Sequence, residues 1–535
     1  MWRKRSAAHA HRYLISTLPD CTVNPILAAA GDKIRNQLNS LSTSVAQQDR
    51  LSTQDLRRLE QGAAEIGAEV GAIVLTAMLE RQCEQIAMAD IASRGLRPDQ
   101  VRWRREDAYY YSVCSTLGTI QIWLAAYRFK ARAGCWVTCV PARGLVVARH
   151  RIRSTPLALE WECRLAALHP FRQGAGLLHF FSRGKLRSED NTMARHAVAV
   201  GNQVSCDWKF RRPESIAELL RTRATRCRKT GLPLVYFSSD AHCIRQYEGA
   251  TWAAPWKNIN GVRLWCQDRK TGRIIHLGGD FTTGDCVATE ALVRELKTLG
   301  ILPDGGVYPG GVASRLVIIT DGAPWLRTRL EPLLPHATCL LDAYHAFEYL
   351  GEYAATLYGT GTPTTKQFYA TLYTELMGRA PPARRKRARP RSQPRKRRRV
   401  RRREADHAAL KDDGFGIDGL IEFLRGYIVD PGKKDLHAAF LKKLEKIRTR
   451  MDYLGARSEG LQIGSGAMES IHRNGSQLRL KLPGARWRPE AAQAMINLRM
   501  LEIAGRWDEF WGDVGLEAAL DSALGRHQPR VKRAA

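Results

Sequence analysis

"RLVIITDGAPWL", residues 315–326, decides how this chain folds. Leu316–Ile319 are consecutive apolar residues, and Val317, Ile318 and Ile319 are β-branched, as suits a strand buried on both faces. Asp321 and Gly322 stop the run, and Pro324 and Trp325 lead into a helix-like segment reaching 334. An aspartate at the tip of a buried strand serves either a plain turn or a metal ion. The choice depends on whether other carboxylates meet it.

Outward from that strand the pattern is regular. "LPLVYFSSD" (232–240) is a β-branched and aromatic run ending in Asp240. "NGVRLWCQD" (260–268) and "RIIHLGGDF" (273–281) form a hairpin around "RKTG", and "TGDCVATEALVRELKTLG" (283–300) is an amphipathic helix closed by Gly300. "ATCLLDAYHAFEYLGEYA" (337–354) is a short strand entering a helix. Three strands followed by helix, strand, helix, strand, helix specify an α/β mixed sheet with helices on its faces. In a mixed sheet of that order the first and fourth strands can lie side by side and parallel, and their C-terminal ends would then bring Asp240 and Asp321 together. "GLQIGSGAMESIHRNGSQLRLKLPGARWRPEAAQAMINLRMLEIAGRWDEF" (460–510) adds a glycine-rich turn, a helix carrying Glu469, a basic stretch and a second helix from Pro489 to about Ala504. Three carboxylates at one place repel unless a cation sits among them, and Mg²⁺ prefers such oxygen ligands. Two such ions, with Mn²⁺ as a substitute, suit in-line phosphodiester substitution.

The whole chain has 535 residues, enough for more than one domain, and a formal net charge of +31 that suits a polyanion. In "RRKRARPRSQPRKRRRVRRR" (384–403) fourteen of twenty residues are Arg or Lys, and without them the charge would be +17. Like charges at that density, with prolines among them, predict an unfolded exposed loop. The longest apolar run, "VGAIVLTAML" (70–79), is shorter than a bilayer span. The basic N-terminus lacks the apolar core of a signal peptide. These features predict a cytoplasmic, nucleoid-associated protein with no membrane partner. Twelve scattered cysteines read as free thiols; Cys135 and Cys139 in "CWVTC" are either half of a zinc site or small strand residues.

The N-terminal part reads as mainly helical. Ser52 and Asp55 open a capping box, and apolar residues from Leu56 to Leu79 recur at helical spacing over 52–86. That helix must pack on its own region or on a second copy. Residues 105–150 look like short strands, and 154–168 returns to helix. "RGKLRSEDNTMARHAVAVGNQV" (183–204) suggests two short helices joined by a polar turn, compatible with a DNA-reading helix-turn-helix.

"ITDGAPWL", "LLDAYHAFEYL" and "GSGAMESIHR…QLRLKLPGARW" together resemble the DDE transposases of bacterial insertion sequences, most nearly the Kra-type group related to Mutator-like transposases. The resemblance covers about 230–510. It implies an RNase H-like catalytic core with a helical insertion before the last acidic residue. It also implies divalent metal, and cleavage and strand transfer at the terminal inverted repeats of an element and at target DNA. Double-stranded DNA would be the partner of a homo-oligomer. Its catalytic and metal-binding residues would be Asp240, Asp321 and Glu469. The implied domains are an N-terminal DNA-binding region (1–225), the first part of the core (226–355), the helical insertion (356–458), the last core helices (459–510) and a tail (511–535). One departure is Ala241-His242 after the first aspartate, where the family usually has glycine.

Other residues keep two readings each. Asp342 and His345 match a family motif and share a helix face; they serve metal or DNA, or else a helix cap and a packed histidine. Arg473, Arg479, Lys481, Arg486 and Arg488 are candidate DNA contacts. Trp487 either stacks on an unpaired base or closes the C-terminal helices. The enzyme reading stands against an RNase H-like nuclease without strand transfer, and against a catalytically inactive DNA-binding relative of a transposase.

Overall fold

The structure, a computed structural model, describes residues 52–131, 134–142, 154–247, 253–283, 286–298, 312–381 and 414–512, with short pieces within 31–43 and 300–308. The arginine-rich run 384–403 lies outside the described residues, as do the N-terminus and the tail beyond 512. The chain divides into two compact units, one ending at His196 and one spanning Ala197–Gly515.

The first unit is built on helix α1 (Thr53–Ser93). Its capping box forms as the sequence specifies: the Ser52 hydroxyl accepts from Asp55 N–H at 3.2 Å, and the Asp55 carboxylate accepts from Ser52 N–H at 3.1 Å. The helix continues past 86 to Ser93, where Cys83, Ala87 and Ile91 are buried with Val113, Ile120 and Ile122 of a hairpin (Tyr110–Ser115 and Gly118–Trp123). By length and composition α1 is apolar enough to cross a bilayer, and a core helix of a soluble protein meets the same description. A three-stranded sheet pairs Arg102–Trp103, Tyr127–Lys130 and Trp136–Cys139. Cys135 is exposed beside the last of these strands.

Helices α2 (Pro156–Leu168), α3 (Phe171–Phe181) and α4 (Asp190–Gly201) follow. The expected pair of helices within 183–204 is one helix after a turn. Ser182 closes α3, and Arg183 and Gly184 take positive φ of 52° and 80°, which no helix interior allows. Glu162 of α2 and His196 of α4 are buried against each other.

In the second unit, α5 (Pro213–Thr222) precedes strands β1 (Leu234–Arg245), β2 (Trp256–Gln267) and β3 (Ile274–Thr283), then α6 (Cys286–Thr298), β4 (Arg315–Thr320) and β5 (Thr338–Leu341). The five strands form one mixed sheet in the order β5-β4-β1-β2-β3. β1, β2 and β3 are an antiparallel meander, whereas β4 runs parallel to both β1 and β5. The first and fourth strands are thus neighbours. One face of the sheet buries Val235, Phe237, Leu316 and Ile318 under α5, α6 and the helical turns after Trp325. Phe210, Ile216 and Leu220 belong to that same core, so the chain before 225 is already part of the sheet unit.

Helix α7 (Ala343–Tyr358) starts a helical stretch with α8 (Pro363–Met377), α9 (Ile417–Gly426), α10 (Lys434–Ile447) and α11 (Tyr453–Ser458). These share their own core, with Leu350, Tyr353, Phe368, Leu372, Leu420 and Leu424 among its buried residues. The chain then returns to the sheet through α12 (Gly466–Ile471), a π-helical segment (His472–Gln477) and α13 (Pro489–Ala504). The second face of the sheet holds Leu234, Tyr236, Val317 and Ile319 against Ala456, Leu461 and Ala467.

Candidate functional site

The site lies on that second face, where the apolar alternation of two strands gives way to acid. Along β1, Leu234 and Tyr236 point into the second-face core, and Asp240 continues their alternation. Val317 and Ile319 of β4 do the same, and Asp321 continues theirs. The strands pair from Leu234 with Arg315 to Phe237 with Ile318, and Ser238 Oγ–H donates to Ile319 C=O at 2.5 Å. Asp321 follows the last residue of β4, and extending this register three residues past the paired ones would level it with Asp240; its charge is felt at Asp240. The turn after β4 uses one carboxylate oxygen of Asp321: Oδ1 accepts from Ala323 N–H at 3.0 Å. Gly322 has φ of 83°, and a Cβ there would come 2.7 Å from Leu341 Cδ1. The turn therefore engages Oδ1 of Asp321, and a turn role does not by itself use the whole carboxylate.

Glu469 arrives from above the sheet. Its helix α12 packs on β1 and β2. Gly261, the cross-strand partner of Asp240, makes room for it, since a Cβ at 261 would lie 2.2 Å from Phe281 Cε1 and 3.0 Å from Met468 Cε. Buried Arg263 donates to the Ala467 carbonyl, two residues before Glu469, and burial pushes its guanidinium down to about 10. Glu469 itself is exposed.

Asp240 registers the company it keeps. Burial first raises its carboxyl above the usual range, the Ala241 N–H at 2.7 Å opposes this, and the charges of Asp321 and Glu469 raise it further, while His345 lowers it. Four residues from four parts of the chain thus share one electrostatic neighbourhood. Among the described residues no group of three His, Cys, Asp or Glu side chains is close enough to hold a metal ion. By donor type the three carboxylates suit a hard divalent cation, and the charges of Asp321 and Glu469 are felt at Asp240, but as placed they do not close into a metal-holding group.

Asp342 has an architectural place. It is 2% exposed, caps α7 through Tyr344 N–H at 2.6 Å, and accepts through its other oxygen from Ser465 N–H, just before α12. It joins the β5–α7 corner to the turn that launches the Glu469 helix. His345 is half exposed, with Nδ1 3.1 Å from Glu348 Oε2 on its solvent side.

The sequence reading missed a histidine pair behind Asp240. His242 Nδ1 lies 2.6 Å from His472 Nδ1, and Ser476 Oγ lies 2.7 Å from His242 Nε2. His472 Nε2 is buried without a hydrogen-bond partner and stands 3.4 Å from Asp240 Oδ2. The edge of Phe281 closes on both rings. Burial, helped by Lys481, pushes His242 down to about 4; burial, helped by His242, pushes His472 down to about 3. Both rings are neutral at pH 7. If His472 Nε2–H faces Asp240, its Nδ1 must accept from His242 Nδ1–H, and His242 Nε2 then accepts from Ser476. The signal was present in the spacing: His242 is two residues along the strand from Asp240, and His472 is three along the helix from Glu469.

The basic stretch splits by exposure. Arg473, Lys481, Arg486 and Arg488 are exposed. Arg479 is buried, with its guanidinium carbon 4.8 Å from the Trp487 ring centre. Trp487 is 6% exposed; its Nε1–H donates to Leu480 C=O and its backbone N–H to Arg245 C=O, each at 3.0 Å. It ties the C-terminal segment to the end of β1, a packing role.

No known family profile matches the chain, and no curated protein does. Among solved structures, the Drosophila P element transposase strand transfer complex is similar at a TM-score of 0.21 and 11% identity, over 68% of this chain and 82% of that one. A likeness of that size carries no argument, and the functional reading rests on the site.

Proposed function

We propose that this chain is a DDE-type DNA transposase with an RNase H-like core, cleaving and rejoining DNA at the ends of an insertion sequence. The observation that carries the reading is the parallel pairing of β1 with β4, whose register, extended past the paired residues, would level Asp240 with Asp321, with the helix of Glu469 packed on β1 and its neighbour β2. The strand order and the helical stretch between β5 and Glu469 support the same reading. The excess of positive charge supports a nucleic-acid substrate.

Asp240, Asp321 and Glu469 would hold two Mg²⁺ ions, whose chemistry is to activate a water or 3′-hydroxyl and to offset charge on the leaving oxygen. The protein's own residues do the rest. Arg263 and Asp342 hold α12 so that Glu469 overhangs the strand ends. His472 Nε2 stands 3.4 Å from Asp240 Oδ2 while Oδ1 accepts from Ala241 N–H, so ligation would use the remaining lone pairs of that carboxylate. Exposed Arg473, Lys481, Arg486 and Arg488 supply cations for a DNA backbone.

The test is Asp321→Asn, with DNA binding and cleavage measured on the same protein. Cleavage should vanish while binding persists, because a ligand is lost and no DNA contact is. Equal cleavage by the variant and the natural protein would refute the assignment. Cleavage without strand transfer by the natural protein would make it a nuclease, and binding without cleavage an inactive relative.

A further inference from the structure

With Trp487 buried, the most exposed tryptophan among the described residues is Trp256, which opens β2 opposite Arg245 and is 58% exposed, ahead of Trp136 at 43% and Trp103 at 37%. Its first neighbours along the strand, Lys257 and Asn258, are exposed as well. Two cations flank its ring: Arg245 Cζ and Lys481 Nζ each lie 6.0 Å from the centroid. Arg245 is held there by its Nε–H bond to Ala254 C=O at 3.2 Å, and the backbone beneath is pinned by the Trp487–Arg245 and Tyr247–Trp487 hydrogen bonds at 3.0 and 2.8 Å. Lys481 is close enough for its charge to act on His242, which lies two residues from Asp240 along β1. An apolar ring set among fixed cations does not suit an apolar protein partner. It suits a planar base whose flanking phosphates meet the cations.

We propose that Trp256 is the stacking platform for an unpaired nucleobase of the DNA strand that enters the carboxylate site, with Arg245 and Lys481 holding the adjacent phosphates. This rests on the DNA reading above and adds the form of DNA selected: an end with unpaired nucleotides over a closed duplex. Arg245 lies five residue steps along β1 from Asp240, a distance of ~17 Å. At ~3.4 Å of duplex rise per nucleotide, the stacked base falls within about five nucleotides of the scissile phosphate.

The experiment compares the full-length natural protein, Trp256→Ala and Trp256→Phe, without divalent metal so that nothing is cleaved. The probes are a blunt duplex and the same duplex with a five-nucleotide single-stranded 3′ tail carrying 2-aminopurine. The natural protein should prefer the tailed probe and quench its fluorescence. Trp256→Ala should lose roughly 5- to 150-fold on the tailed probe, the ~1–3 kcal/mol of one aromatic–base stack, and keep its affinity for the blunt one. Trp256→Phe should retain most of the preference. All three should melt at the same temperature. Loss of affinity on both probes alike, or no loss on either, would overturn the stacking role while leaving DNA binding in place. A natural protein that binds neither probe would overturn the DNA reading itself, and this proposal with it.

Discussion

Gly261→Ala tests how the third acid is brought to the other two. A methyl group at this position would sit 2.2 and 2.4 Å from Phe281 Cε1 and Cδ1, and 3.0 Å from Met468 Cε. Phe281 is fully buried and packs on both histidines, so it has little freedom to yield. Met468 Cε, the tip of a flexible side chain on the helix that carries Glu469, is the more compliant neighbour and would be crowded as well. Overpacking of this kind costs about 1–3 kcal/mol. For a unit of this size that is a fall in melting temperature of roughly 2–10 °C. Cleavage should fall further than stability accounts for, because the displaced residue neighbours Glu469. A double-mutant cycle with Phe281→Ala isolates the clash: the pair should be less destabilised than the sum of the singles by about 1 kcal/mol or more. Additive effects would show that Phe281 does not fill the space over Gly261, and a Gly261→Ala protein with unchanged melting and full cleavage would show that the helix does not press on β2 at Asp240.

Three further outcomes follow from the same geometry. His472→Asn removes the group facing Asp240 and should lower metal affinity or cleavage about 10- to 100-fold, whereas His472→Gln, which can place an N–H near the same point, should recover part of it; equal losses in both would refute an orienting role. Because His242 and His472 are held at about 4 and 3 when folded, the unfolded chain takes up protons first, so stability should fall as pH drops below about 6.5 towards 4; Asp240, raised when folded, opposes this in part. Denaturant midpoints measured across that range should show a shallower slope in a His242→Gln/His472→Gln protein. Deletion of 384–403 should weaken DNA binding without regard to sequence and flatten its dependence on salt; an unchanged slope would mean the run does not touch phosphate.

The parts of the fold legible in the sequence are those set by local chemistry. The Ser52–Asp55 box, the hairpin around "RKTG" and the apolar runs ending at Asp240 and Asp321 each depend on residues a few positions apart. The parallel pairing of β1 and β4 was allowed by element order, which restricts topology severely. What stayed hidden depends on contacts made across the chain. The His242–His472 pair spans 230 residues, and Arg263 reaches Ala467 across 204. Trp487 lies in basic sequence and Trp256 does not, yet Trp487 is the buried one, because its backbone pairs with Arg245 and Tyr247 at the end of β1. In 183–204 the helical pattern was read through Arg183 and Gly184, whose left-handed backbone breaks it.

The most direct test of the central claim is to let a bound metal mark its own surroundings. Fe²⁺ in place of Mg²⁺, with ascorbate and peroxide, generates radicals that cut the backbone near the ion. Fragments mapped by mass spectrometry should end near Asp240, Asp321 and Glu469 together, be suppressed by excess Mg²⁺, and disappear in Asp321→Asn. Cuts confined to one of the three segments, or a pattern unchanged in that variant, would contradict a shared metal site.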